Sequence, residues 1–308
     1  ASAAITAAGK IGGDKAAKAL VEQLGGQYNA AAFTALKSFQ GNYQEELLTA
    51  LDGAKDSKTI VRILGLVMAR RMTAAAPKVY SLIDSDDAET SLIAKYALAN
   101  IAGVQDIDKV GTLLDNASVS DELALQNALI AAVHTLAPAE QYAKVSALMK
   151  KSKNSTAYYP VLAATGTDEA VNDLAAAYEA GDMSAFTSLL KIDNFKVASV
   201  LVKIAGSDAS LADVAVKRYS SLVSQYETNL DKKRIDFAKA LDLAQTPAVK
   251  KSILKSLASV PTMKAFLLAG KYLDDNDKGV RHSAAECVRT IASKTKEEIN
   301  YADLKSNL

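Results

Sequence analysis

Two histidines, one cysteine and a short acidic run are the side chains of this sequence best equipped for chemistry. His134 and His282 stand 148 positions apart, and neither has a second His or a Cys at a metal-ligand spacing. His282 and Glu286 are four residues apart and so share one helix face, where an imidazole and a carboxylate could exchange a proton; a surface pair is the simpler expectation. Cys287 falls on the apolar stripe of Ala284, Val288 and Ile291, the place of a small buried hydrophobe rather than of a reactive thiolate. As the single cysteine, it rules out an intramolecular disulfide and a cysteine-based zinc cluster within the chain. The run Asp84, Asp86, Asp87, Glu89 imitates the start of a calcium loop, but it lacks the required glycine and the distal glutamate, so it reads as a solvated turn. No glycine-rich phosphate loop, no G-x-S-x-G and no dense carboxylate cluster occurs.

Basic and aromatic groups are equally reticent. Lys232, Lys233 and Arg234 form the densest cationic patch, but Asp231 and Asp236 bracket it, as on a solvated helix face. Tyr158, Tyr159 and Tyr178 could offer rings to a sugar or a peptide, although packing explains them as well. No catalytic, cofactor-binding or metal-ligating residue is therefore assigned, no cofactor is expected, and the chain is expected not to be an enzyme.

Composition narrows the classes further. Thirty-six basic against 35 acidic side chains leave a formal charge of +1, so no global field draws in nucleic acid or an anionic membrane surface, and neither is an expected partner. The longest apolar stretches, such as 60–69, are broken by Arg62 and end at Arg70 and Arg71, well short of the ~20 residues of a spanning helix. A soluble chain is expected. Residues 1–13 lack the basic and then apolar order of a signal peptide, so either a cytoplasmic protein or an exported one without its leader fits. With 49% hydrophobic but only 6% aromatic residues, no Trp and 5 Pro, the composition suits closely packed helices.

The elements that would hold these groups repeat themselves. Ala4, Ala7, Ala8, Ile11 are followed by Ala32, Ala35, Leu36, Phe39; then by Leu64, Val67, Met68, Arg71; by Ala94, Ala97, Leu98, Ile101; and by Leu129, Ala132, Val133, Leu136, at steps of 28, 32, 30 and 35. A further copy, Ala284, Cys287, Val288, Ile291, stands near the C-terminus. Self-similarity at about 30 residues marks a helical repeat array. The unit is a helix pair joined by a short turn: Gly12 and Gly13 make the first turn with Asp14 as N-cap, and Gly25 and Gly26 end the second helix. Asp84 to Asp87 precede a helix through Ala102, while Thr246 and Pro247 supply N-cap and N1 of a helix that Pro261 stops. Residues 158–230 keep the helical rhythm without the Ala-Leu signature and read as degenerate repeats, with a possible change of superhelix curvature. The fold class is all-α over residues 1–308 as one solenoid.

The copy from Asp274 to Ser293 resembles the HEAT-like, armadillo-type repeat family, through Asp275, Val280, Arg281, Ala284, Cys287, Val288 and Ile291; the copy from Asp84 to Gly103 is similar, with Thr90 and Ser91 in place of Val-Arg. That resemblance implies a right-handed α-α superhelix of roughly ten antiparallel helix pairs whose inner helices line a concave surface for a partner. The expected function is a non-enzymatic scaffold for another protein or another domain of the same polypeptide. The alternative is an ancillary segment of a larger bacterial, carbohydrate-acting enzyme. Because Ala1 falls ten residues before Ile11, the chain is expected to open inside a repeat and to belong to a longer polypeptide.

Overall fold

The computed structural model describes residues 2–296, in which nineteen α-helices and no β-strand occur. Ala1 lies outside the described residues. The chain divides into two compact units, Ala1–Thr165 and Gly166–Leu308, with the boundary inside the stretch where the repeat signature fades.

The first unit contains α1 (Ser2–Ile11), α2 (Asp14–Glu22), α3 (Asn29–Lys37), α4 (Gln44–Gly53), α5 (Ser57–Arg70), α6 (Ala76–Leu82), α7 (Ala88–Ile101), α8 (Ile107–Asp115), α9 (Val119–Val133), α10 (Pro138–Lys151) and α11 (Tyr159–Thr165). Helices of odd number pack on one another in order, α1 on α3, then α5, α7, α9 and α11, while α2 packs on α4 and α4 on α6. The second unit contains α12 (Asp168–Glu179), α13 (Met183–Leu189), α14 (Ala198–Ser207), α15 (Ala212–Tyr226), α16 (Leu230–Leu243), α17 (Pro247–Leu257), α18 (Met263–Gly270) and α19 (Lys278–Lys294). There α15, α17 and α19 form one row and α14, α16 and α18 another. In both units the substantial helix contacts join helices one or two places apart in the chain, the neighbour-only pattern of a helical-repeat-like fold.

Capping fixes the register of the rows. The Asp56 carboxylate accepts from the Thr59 amide at 2.9 Å to open α5, and Asp87 accepts from the Thr90 amide at 2.7 Å to open α7, 31 residues later. Each such cap contributes about 1 kcal/mol. Behind the caps, the buried triplets Ala32, Ala35, Leu36; Ile63, Leu66, Val67; Ala94, Ala97, Leu98; and Leu125, Ala128, Leu129 follow one another at a constant 31 residues. The second unit repeats the spacing. Thr246 opens α17 and Asp277 opens α19, and Val249, Ile253 and Val260 are matched by buried Val280, Ala284 and Ile291.

This corrects the registers read from the sequence. In α5 the buried set is shifted by one from Leu64, Val67, Met68, Arg71: Met68 is only half-buried, and Arg71 is an exposed C-cap in the left-handed region at φ 50°. In α9 the set begins one turn earlier, at Leu125 rather than Leu129. In α1, Ala4 and Ala7 are exposed and Ile11 is 82% exposed. Gly9 takes the contact instead, so close to α3 that an added Cβ would lie 2.8 Å from the Ala35 Cβ. The turn before α2 also differs, because Gly13 at φ 85° is the N-cap and Asp14 is already the first helical residue.

Hydrogen bonds tie successive repeats where their turns meet. The Arg70 guanidinium donates to the Phe39 and Gly41 carbonyls at 3.0 and 2.9 Å, and the Gln126 amide to the Ala157 carbonyl at 3.0 Å. His134 Nε2 lies 3.1 Å from the Ala164 carbonyl. Each spans roughly one repeat, so the polar contacts follow the same period as the apolar ones.

Candidate functional site

None of the chemistry-bearing residues singled out in the sequence is gathered with the others into a catalytic arrangement. His134 is held at a repeat junction, and His282 Nε2 stands 3.5 Å from Glu286 Oε1 on the exposed face of α19. Cys287 is 1% exposed, and burial pushes its thiol up to about 12, far from a thiolate at neutral pH. In the acidic run Asp87 is committed to capping α7, and no group of three metal-capable side chains occurs among the described residues. The Lys232–Arg234 patch is laced into neighbours: Lys233 donates to the Ser224 carbonyl at 3.0 Å, and Asp231 stands 3.8 Å from Arg234 and 3.6 Å from Lys264. Tyr158 is sealed in the first unit, where its hydroxyl donates to the Gly111 carbonyl at 2.9 Å and to Asp115 at 2.8 Å. Tyr178, in the second unit, stands 3.4 Å from Asp208.

One buried carboxylate escaped sequence reasoning. Asp106 accepts from the Gly103 amide at 2.9 Å, the Gln105 side-chain amide at 3.0 Å and the Tyr80 hydroxyl at 3.1 Å, so its lone pairs are used in holding the turn after α7. Its burial and proximity push the Tyr80 phenol well above the usual tyrosine range. Lys109 Nζ lies 3.5 Å from the centre of the same ring.

The structure instead organises two surfaces. On the odd-numbered row of the first unit, Ala30, Val61, Leu92 and Leu123 occupy equivalent positions 31 residues apart on α3, α5, α7 and α9, facing away from the core. Leu92 is 37% and Leu123 55% exposed, and Val119, one turn before Leu123, is 90% exposed. Beside them Lys95 of α7 pairs with Asp121 of α9 at 3.0 Å. Side chains of this kind are normally spent on core contacts, so a row of them on repeat-equivalent positions is an ordered apolar strip. The strict 31-residue spacing was the signal that could have revealed it.

In the second unit a cavity of about 760 Å³ opens between α17 and α19. Lys251 and Lys255 reach it from α17 and Arg289 from α19, with Ser252, Ser283 and Thr290 supplying hydroxyls, Glu286 a single carboxylate and Cys287 part of its floor.

No family model and no curated protein matches the chain. Among solved structures, the chain is similar to human deoxyhypusine hydroxylase in complex with glycerol, at 11% identity over 91% of this chain and 97% of that one, with a TM-score of 0.32. It is also similar to an engineered protein at 16% identity over the same shares, with a TM-score of 0.21. The expectation that the chain is not an enzyme is thereby corrected: deoxyhypusine hydroxylase is an enzyme, so a non-enzymatic role is not assigned. At a TM-score of 0.32 no activity is assigned in its place. The class these observations define is an all-α, helical-repeat-like protein, and no helix among the described residues is long and apolar enough to cross a membrane.

Proposed function

We propose that each unit is a stretch of HEAT-like α-solenoid and that the chain is an interaction scaffold, holding a protein partner or another domain of its own polypeptide on the exposed face of the signature helices. About ten helix pairs accommodate the nineteen described helices, and a right-handed superhelix is the arrangement the repeat resemblance implies. Closer packing along the odd-numbered row than along α2, α4 and α6 supports placing that row on the concave side, because the inner layer of a curved stack is the tighter one.

The observation that carries the reading is the apolar strip. Axes of packed helices lie about 8–10 Å apart, so Leu92 and Leu123 present methyl groups at about that interval. Residues seven apart on a bound helix rise about 10.5 Å. An amphipathic helix laid across α5, α7 and α9 would therefore bring apolar anchors at i and i+7 onto Leu92 and Leu123, with Lys95 and Asp121 at the polar margin.

A photo-crosslinking residue placed at Leu92 or Leu123, in the cells that make the protein, should give a discrete protein adduct that is absent when the same residue replaces exposed Ala147 on α10. Val61→Glu, one repeat along the strip, should abolish it. Adducts that form equally from Ala147, or that survive Val61→Glu, would refute the assignment of this face.

A further inference from the structure

The exposed face of the second unit differs from that of the first in its charge. The cavity between α17 and α19 has three cations, Lys251, Lys255 and Arg289, against one carboxylate, Glu286, a balance of +2 in a single groove of a chain whose total is +1. Lys250, the neighbour of Lys251, is matched with Asp275 at 3.3 Å, whereas none of the three groove cations has an ion-pair partner among the described residues. Glu286 is engaged by His282 at 3.5 Å. Lys217, exposed on α15, adds another positive charge to the same row of helices. Unmatched cations converging on a concavity focus a positive potential there, even without a field from the protein as a whole.

The geometry points to an acidic, extended segment of a partner protein as the occupant of this groove, a proposal that rests on the scaffold reading and gives its second surface a ligand chemistry. Lys251 and Lys255 are one turn apart, about 6 Å along α17. Alternate side chains of an extended peptide recur at about 6.6–6.8 Å, so carboxylates at positions i and i+2 meet both ammonium groups. Arg289 faces them from α19 with a planar fork suited to a third carboxylate. The Thr290 hydroxyl donates to the Glu286 carbonyl at 2.8 Å, which leaves its oxygen to accept a peptide N–H; Ser252 and Ser283 supply further hydroxyls along the walls. No aromatic ring lines the groove, so a nucleic acid would find charge but no stacking platform.

The test uses the full chain and a fluorescein-labelled peptide of alternating Glu and Ser, followed by anisotropy at about 50 mM salt, where the screening length still exceeds the width of the groove. Binding should be saturable, should fall at least about tenfold in Lys255→Glu/Arg289→Glu, and should persist in Lys232→Glu/Lys239→Glu on α16, which alters the same number of charges in the other row. Lys255→Gln/Arg289→Gln gives the milder loss expected of neutralisation and guards against a folding defect, which far-UV circular dichroism checks. Equal weakening by the α16 pair, or displacement of the peptide by oligothymidine as readily as by unlabelled peptide, would overturn the proposal. No binding by the parent chain would overturn it as well, while leaving crosslinking at Leu92 and Leu123 to decide the scaffold reading separately.

Discussion

The hydroxyl of Tyr158 donates to the carboxylate of Asp115 at 2.8 Å, bringing the start of α11 against the end of α8 across 43 residues of sequence, and the same hydroxyl lies 2.9 Å from the Gly111 carbonyl. Burial first, and then Asp115, push the phenol well above its ordinary range, so it remains a donor throughout the physiological interval. Tyr158→Phe keeps the ring but strands two acceptors. It should cost about 1–3 kcal/mol, read as a lower urea midpoint at unchanged m-value. A midpoint equal to that of the parent would mean that water replaces the hydroxyl at no cost.

Acid should weaken the repeats through their caps. The Thr59 amide holds Asp56 below the usual carboxylate range, the Thr90 amide does the same for Asp87, and the Asp277 amide for Asp275. A carboxylate whose folded pKa is depressed contributes stability that is complete above its unfolded value, about 3.9, and that is lost as the pH falls through the lower folded value. Urea midpoints should therefore drop between about pH 5 and pH 3. Asp56→Asn/Asp87→Asn preserves capping without the titration, so its midpoint should fall less over that range. An identical fall in parent and variant would assign the acid sensitivity to other groups.

Ala97 is fully buried on α7, in the row where α5 and α9 pack from either side. Ala97→Leu should overpack that contact and cost about 1–3 kcal/mol, whereas Glu89→Gln, on an exposed position of the same helix, should cost less than about 0.5 kcal/mol. Hydrogen exchange should rise in α5, α7 and α9 and leave α17 and α19 protected, because stacked repeats share damage with their neighbours only. Uniform loss of protection along the chain would instead reveal one cooperative core and end the solenoid reading.

Cys287 offers a probe of opening in the second unit. With 1% exposure and a thiol raised by burial to about 12, it should resist a disulfide reagent at about pH 8 in the native protein and react fully once unfolded. Rapid native labelling would show that the wall between α17 and α19 opens far more often than its packing implies.

The sequence by itself determined that the chain is all-helical and repetitive, because alanine and leucine at 3 and 4 spacing can bury only a stripe and the stripe recurs. It also marked Val280, Ala284, Cys287 and Ile291 as core, and all four are buried. The register was less legible. A helix such as α9 buries six residues, among them Leu125, Leu129 and Val133, so several overlapping 3 and 4 patterns fit its sequence equally well. Which of them faces the core is decided by the cap that starts the helix and by the helices on either side. Thus the step of 31 from Ala32 to Ile63, Ala94 and Leu125 emerges only once the burial of each is known. The two candidate surfaces belong to the tertiary structure for the same reason. Leu92 and Leu123 are indistinguishable in type from core leucines until the packing leaves them outside, and Lys255 and Arg289, 34 residues apart in sequence, line one groove only because α17 lies against α19.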